Sequence, residues 1–415
     1  MDRPRETSLL ILSDMHFGSF SEFADVPGVQ AIPENPRMDA TPVTQKLVGS
    51  VRKAGIRIDG ILVTGDLTSK ARPSEFYECI AAVNEVRHSL GVEEKSVLYT
   101  FGNHDTDWVI SRLADATDQR PSDHRYKDVA ASVGAAFTNP NPDMSSGPVL
   151  GSGVIEYPTY RVIIANTGYY STHDQQTKQG KLGRKQYDWL SLQLQQRFDK
   201  SRWTILMLHH HPFNYSYPSH ATDISCLDEG AELVDMIGQS DVDLVCHGHR
   251  HHPKHFTVLQ NGWLHPVTFF CAGSVAVDAQ HRSNGKIPNL YHVITLQTRE
   301  PTGAAVGVIR SFEFSISKEW IPTTYSNVVP LDPVQKFGSC ATESAQRALI
   351  EHMLNDLLEA SDSNYCELPT FGNLPVDLQC MPLLMLNKAI SEIADILMCR
   401  VIGKYDDEVV LQRRN

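Results

Sequence analysis

At 415 residues, with 41% hydrophobic and 21% charged residues, the chain can build more than one core and has the balance of an ordinary folded protein. Its formal net charge of -12 excludes a globally basic nucleic-acid binder and leaves room only for a local basic groove. Eight cysteines, at 79, 226, 246, 271, 340, 366, 380 and 399, make no C-x-x-C pair and read as buried thiols of a reducing compartment, while 18 histidines are the compositional oddity.

The first apolar run, Leu9-Leu10-Ile11-Leu12, is too short for a signal peptide or membrane span, so a cytoplasmic protein is expected. It reads as a buried strand feeding Ser13-Asp14-Met15-His16-Phe17-Gly18. A helix is expected from about Thr41-Pro42, with Val43, Leu47 and Val51 on one face. A second buried strand, Gly60 to Thr64, stops at Gly65-Asp66. The helical period of Phe76, Ile80, Val83, Val86 and Leu90 leads into a third strand, Ser96 to Tyr99, which ends at Gly102-Asn103-His104-Asp105.

Residues 106–153 are irregular, with helix expected around Val109–Ala116 and Tyr126–Val133, and such insertions commonly shape a substrate pocket. Gly153–Tyr157 and Tyr160–Asn166 read as a hairpin, followed by a helix carrying Tyr187, Leu190, Leu194 and Phe198. Two more buried strands end in histidines: Thr204–Leu208 at His209-His210-His211-Pro212, and Val242–Cys246 at His247-Gly248-His249-Arg250-His251. Runs at Trp263–Phe270, Tyr291–Leu296 and Ala305–Phe314 look like antiparallel strands that close a second sheet, so the whole reads as two packed sheets with helices outside.

A boundary is expected near 325–335, separating a catalytic domain (1–325) from a helical appendage (335–415) with helices at about Thr342–Ala360 and Met381–Val401. The apolar stripes of these helices, Ala345, Leu349, Met353 and Leu357, then Leu383, Leu386, Ile390, Ile393 and Leu397, must pack on the catalytic domain or on another chain. A homo-oligomer formed through them, or a cover over the site mouth, is therefore expected.

Each strand-end cluster alone is an ordinary turn, because Asn and Asp after Gly make turns readily. Jointly they supply carboxylate, imidazole and amide oxygen at five strand ends, where open α/β sheets bind ligands. That mixed donor set suits Mn, Fe, Zn or Co rather than Ca or Mg, and with donors enough for two ions Asp66 is the natural bridge.

The order D-x-H, G-D, G-N-H-D, H-x-P, G-H-x-H resembles the calcineurin-like metallophosphoesterase superfamily over residues 8 to about 315. The resemblance implies a four-layer αββα sandwich with a dinuclear centre, most often Mn or Fe. Carried over by position, one ion takes Asp14, His16, Asp66 and His251, and the other takes Asp66, Asn103, His210 and His249. His210 is chosen because Pro212 follows at two residues, which leaves His209 and His211, like His247 and His252, as packing or supporting groups. A hydroxide bridging the ions would attack phosphorus, His104 is the candidate general acid, and Asp105 either orients it or caps the turn.

Leu67-Thr68-Ser69-Lys70 after Asp66, and Asp105 in place of Glu, depart from the protein Ser/Thr phosphatases. Ser69 departs from the tyrosine ligand of purple acid phosphatases. Gly65-Asp66-Leu67-Thr68, and Lys181-Leu182-Gly183 with Gln186 and Trp189-Leu190, resemble the bacterial-type phosphodiesterases, whose substrates are small or nucleotide-type phosphodiesters. The alternatives are a DNA-repair nuclease, for which Lys178, Lys181, Arg184 and Lys185 give a local cationic cluster, and a non-catalytic scaffold, against which stands the complete ligand set. Arg250, Lys70 and the 168–186 loop are the expected substrate contacts, with no membrane partner.

Overall fold

A computed structural model of the protein describes residues 6–18, 42–107, 146–171, 179–196, 202–213, 225–260, 262–263, 265–282, 286–297, 305–326, 329–338, 343–361, 363–381, 383–405 and 409–414. The helices expected around Val109–Ala116 and Tyr126–Val133, and Phe198, lie outside the described residues.

The short, largely apolar runs fold as strands buried on both faces. β1 (Thr7–Leu12), β2 (Gly60–Val63) and β3 (Val97–Tyr99) pair in parallel, with β3 at the edge of its sheet. On the other side of β1 the sheet continues antiparallel through β10 (Leu290–Leu296) and β11 (Gly307–Phe314). Along one edge of β11 lie β12 (Trp320–Pro322) and β13 (Val334–Phe337), completing seven strands.

The second sheet has six strands in the order β4-β5-β6-β7-β9-β8. Its hairpin, β4 (Gly153–Glu156) and β5 (Tyr160–Ile164), lies at one edge. β6 (Trp203–Met207), β7 (Leu244–His247) and β9 (Val267–Cys271) follow in parallel. The far edge is β8 (Lys254–Val258), a strand the sequence did not announce because its residues are only partly buried and carry no clean alternation.

Leu9, Ile11 and Leu62 of the first sheet share a core with Val162, Ile205, Met207 and Leu244 of the second. Helices α1 (Pro42–Lys53) and α2 (Pro73–Leu90) add Leu47, Val51, Phe76 and Val83 to that core. The opposite face of the second sheet, with Ile163, Leu206 and Val245, is covered by α3 (Gly183–Gln195) and α4 (Gly230–Gly238) through Leu190, Leu194, Leu233 and Ile237. This is the αββα order expected, built by the period-two alternation of each strand. Among the described residues no helix is long and apolar enough to cross a membrane.

The appendage departs from the expected helical pair. α5 (Glu343–Ala360) and α6 (Leu383–Ile396) share a separate core with a three-stranded antiparallel sheet of β14 (Tyr365–Glu367), β16 (Val410–Arg413) and β15 (Cys399–Ile402). Ile350, Leu354, Leu386 and Ile390 meet Cys366, Cys399 and Leu411 there, while of the expected first stripe Leu349, Met353 and Leu357 pack against that core only partly buried and Ala345 is exposed. The second helix stops at Ile396 rather than Val401, where Met398 turns the chain at φ 58° into β15. The boundary expected at 325–335 falls inside the first sheet, because β13 is still paired with Gly307–Arg310.

Candidate metal centre

All five polar clusters emerge from the carboxyl ends of parallel strands, three from the first sheet (β1, β2, β3) and two from the second (β6, β7). The two sheets therefore aim their strand ends at one region. Backbone bonds lock neighbouring loops together: the Asp14 N–H donates to the Gly65 carbonyl and the His16 N–H to the Asp66 carbonyl, each at 3.0 Å. The loop after β7 comes from the other sheet and must approach closely. A Cβ on Gly248 would lie 2.1 Å from Ser13 Oγ and 2.4 Å from Asp14 Oδ2, so only glycine fits there.

Asp14, His16 and His251 bring donor atoms within 4.8 Å of one another. The same holds for His209, His210 and His249, for His16, Asp66 and His104, and for Asp14, Asp66 and His209. Asp66 belongs to two of these groups, and its Oδ2 lies 3.5 Å from His16 Nε2. Asn103 is buried at the start of a tight turn, Asn103–Asp105, beside His104, whose N–H donates to Asp66 Oδ1 at 2.9 Å. His209, set aside by the H-x-P spacing, sits inside the cluster. The signal was available, because Ile205 and Met207 of β6 point between the sheets and period two places His209 on the same side.

Asp14, His16, Asp66, His249 and His251 all have φ between 48° and 73°. Left-handed backbone at a side-chain-bearing residue costs roughly 1 kcal/mol or more, and such residues gather where function over-determines geometry. Only three other described non-glycine residues share it, Ala71, Lys318 and Met398.

Burial holds His16, His210 and His249 well below the usual imidazole range and His251 at about 3, so these rings are neutral with a lone pair to offer. His210 Nδ1 lies 2.8 Å from Thr167 Oγ1, while its Nε2 is buried with no hydrogen-bond partner. An orphan imidazole nitrogen grouped with other imidazole donors fits a bound cation. Burial works against a charge on His209, but Asp66 and Asp14 overcome it and push it up to about 9. Burial also disfavours charge on Asp66, yet His209 and His104 hold it well below the carboxylate range.

Asp14 is pushed up to about 8 by burial, with Asp66 adding to the effect and His209, Ser13 and the His249 N–H opposing it. A cation needs the carboxylate form, so binding at pH 7 is expected to release about one proton, from Asp14, since the four neutral imidazoles have none to lose. Apparent metal affinity should rise about tenfold per pH unit and flatten above pH 8. Calorimetry of the metal-free protein with manganese, in two buffers of different ionisation enthalpy, reads this directly, and a buffer-independent heat at pH 7 contradicts it.

The Asp105 carboxylate accepts the Gly102 and Thr68 N–H groups at 2.9 Å each, tying two strand-end loops together. These bonds fit the turn-capping reading of Asp105, and the His104 ring places Nδ1 3.0 Å from the Ser69 carbonyl. His211 and His247 are buried nearby, with ring centroids 6.1 Å apart, and His252 is half-buried. Arg250 donates to Ser225 Oγ at 2.9 Å, and Lys70 is exposed. In the 168–186 loop, Gln186 is buried, accepting the Asn166 N–H and donating to the Asn166 carbonyl. Glu229 accepts the N–H groups of Leu182 and Gly183 at 3.0 Å, capping α3.

Among solved structures the chain is similar to a purple acid phosphatase from yellow lupin (Lupinus luteus) seeds, with 12% identity over 75% of this chain and 52% of that one and a TM-score of 0.46. It is also similar to a calcineurin-like phosphoesterase from Bacillus subtilis, with 12% identity over 86% and 99% of the two chains and a TM-score of 0.31. A probable cyclic nucleotide phosphodiesterase of Rhodococcus erythropolis is 25% identical over 253 residues, 60% of this chain and 66% of that protein's length. Residues 7–253 match the calcineurin-like phosphoesterase model, a stretch that begins with β1 and ends just past His251. The chain belongs to the calcineurin-like phosphoesterase family.

Proposed function

We propose that the protein is a metal-dependent phosphodiesterase acting on small or nucleotide-type phosphodiesters. One ion would be held by Asp14, His16, Asp66 and His251, the other by Asp66, Asn103, His210 and His249. The observation that carries this reading is the convergence of overlapping donor groups, each within 4.8 Å, on strand ends from two different sheets. The family works with a dinuclear metal centre. Two first-row ions, with manganese or iron matching the mixed donors best and zinc or cobalt next, would supply Lewis acidity toward phosphoryl oxygens and lower the pKa of water.

The chain's own residues orient and deliver protons. Asp14 is fixed by Ser13 Oγ and by the His249 N–H, at 3.1 Å to Oδ1, so its carboxylate cannot swing away. His104 is partly exposed and stands edge-on to His16 at 4.7 Å between ring centroids. The Ser69 carbonyl lies at Nδ1, and Nε2 is proposed to donate the proton to the departing oxygen. Arg250, between His249 and His251 and half-buried, is the proposed contact for a substrate phosphate.

A diester is supported by the Rhodococcus relative and by the Leu182-Gly183 to Gln186 segment, which follows Gly180, packed against the His210 ring. A small substrate is supported by the cationic run at 178–185, where Lys181 already faces Asp228 at 3.6 Å and Arg184 faces Asp188 at 2.8 Å. Chelation is expected to abolish hydrolysis of an aryl phosphodiester and manganese to restore it, with the matching aryl monoester turned over more slowly. Full activity in a rigorously metal-free preparation would overturn the proposal.

A further inference from the structure

His209 is fully buried: its Nδ1 lies 2.8 Å from the Thr64 carbonyl, and its Nε2, which forms no hydrogen bond, lies within ion-pair reach of Asp66 Oδ2 at 3.3 Å. Its ring is wedged against those of His210 and His249, proposed to hold one ion, with centroids 4.9 and 5.1 Å away, and its donor atom also lies within 4.8 Å of those of Asp14 and Asp66. The slot it fills is made by two motif glycines. A Cβ on Gly65 would lie 2.5 Å from His209 Nδ1, and one on Gly102 would lie 2.7 Å from its Cδ2. Gly65 also turns the chain at φ +94°, and a Cβ on Gly102 would meet Asp66 Oδ1 at 2.2 Å, so the two loops close on the ring and on the Asp66 carboxylate together.

We propose that His209 is a positioning residue of the metal centre, holding Oδ2 of Asp66 through Nε2 while the Thr64 carbonyl fixes the ring through Nδ1. Asp66 Oδ1 is already engaged by the His104 N–H at 2.9 Å, so the second contact fixes the plane of the carboxylate. A carboxylate shared by two ions has to present both oxygens at set angles, and partners behind such ligands commonly govern affinity.

This rests on the cluster being a metal centre, and the test separates the two ideas. Gln places an amide nitrogen close to where Nε2 stands, whereas Asn places one close to Nδ1. Manganese affinity and stoichiometry are measured on metal-free wild type, His209→Gln and His209→Asn, with circular dichroism and melting of the metal-free proteins as the fold control. His209→Asn should lose about 10–100-fold in affinity for the weaker ion, and His209→Gln should stay within about threefold of wild type. The visible spectrum of the cobalt-loaded protein should shift in the Asn variant and not in the Gln variant. Equal affinities in wild type and Asn, or equal losses in Gln and Asn, would overturn the proposal while leaving the metal centre standing. A wild type that binds no metal overturns both. If the Asn variant does not fold, the Gln variant decides: retained affinity supports the role and a tenfold loss rejects it.

Discussion

Asp66→Asn should lower activity by roughly 10³-fold or more, because several kcal/mol of charge stabilisation depends on ions that this residue would share. Its Oδ1 accepts the His104 N–H, and its Oδ2 faces His16 Nε2 at 3.5 Å and His209 Nε2 at 3.3 Å. The asparagine keeps the shape but turns one oxygen into a donor among donors, and removes a buried negative charge that His209 and His104 stabilise. Elemental analysis should show metal depleted at both positions, whereas Asp14→Asn should mainly empty one. Full metal occupancy in Asp66→Asn would show that the shared ligand is some other residue.

His104→Ala should lower kcat by about 10²–10⁴-fold with metal content intact, if the ring delivers the proton to the leaving oxygen. The alternative is written into the same geometry, since His104 also lies within donor distance of His16 and Asp66. Two readouts separate them. An acid matters more for an alkyl leaving group than for an aryl one, so the loss should be larger for the alkyl ester. Equal losses would indicate a positioning role, and a missing ion would make His104 a ligand.

The place of the cluster was legible because β1, β2, β6 and β7 are largely apolar, wholly buried runs followed at once by polar groups, whereas the sheet order was not: β10 and β11, expected to close the second sheet, extend the first beside β1, and β9 runs parallel to β7. Few structures other than a buried strand with an exposed end fit that pattern. His209 was harder, because H-x-P spacing selects one histidine from three, and only the facing of Ile205 and Met207 shows that the first of them looks between the sheets. Asp105 was ambiguous for another reason: its bonds go to the backbone of Gly102 and Thr68, and backbone partners leave no trace in residue identity. In the appendage, strands of three and four residues are too short to show a period. The apolar run through Leu397 and Val401 also concealed the turn at Met398.

The pairing of β13 along Gly307–Arg310 bears on how the chain can be shortened. Cutting near residue 330, where the composition changes, would strip β13 from the sheet and bare the backbone of β11 beside it. It would also take Phe337, which is buried against Trp203 with ring centroids 5.9 Å apart. An uncovered central-sheet edge of this kind is a template for strand addition between molecules. A catalytic fragment that is to stay in solution has to run past Gly338, and aggregation of a shorter one would report a broken sheet edge rather than a task performed by the appendage.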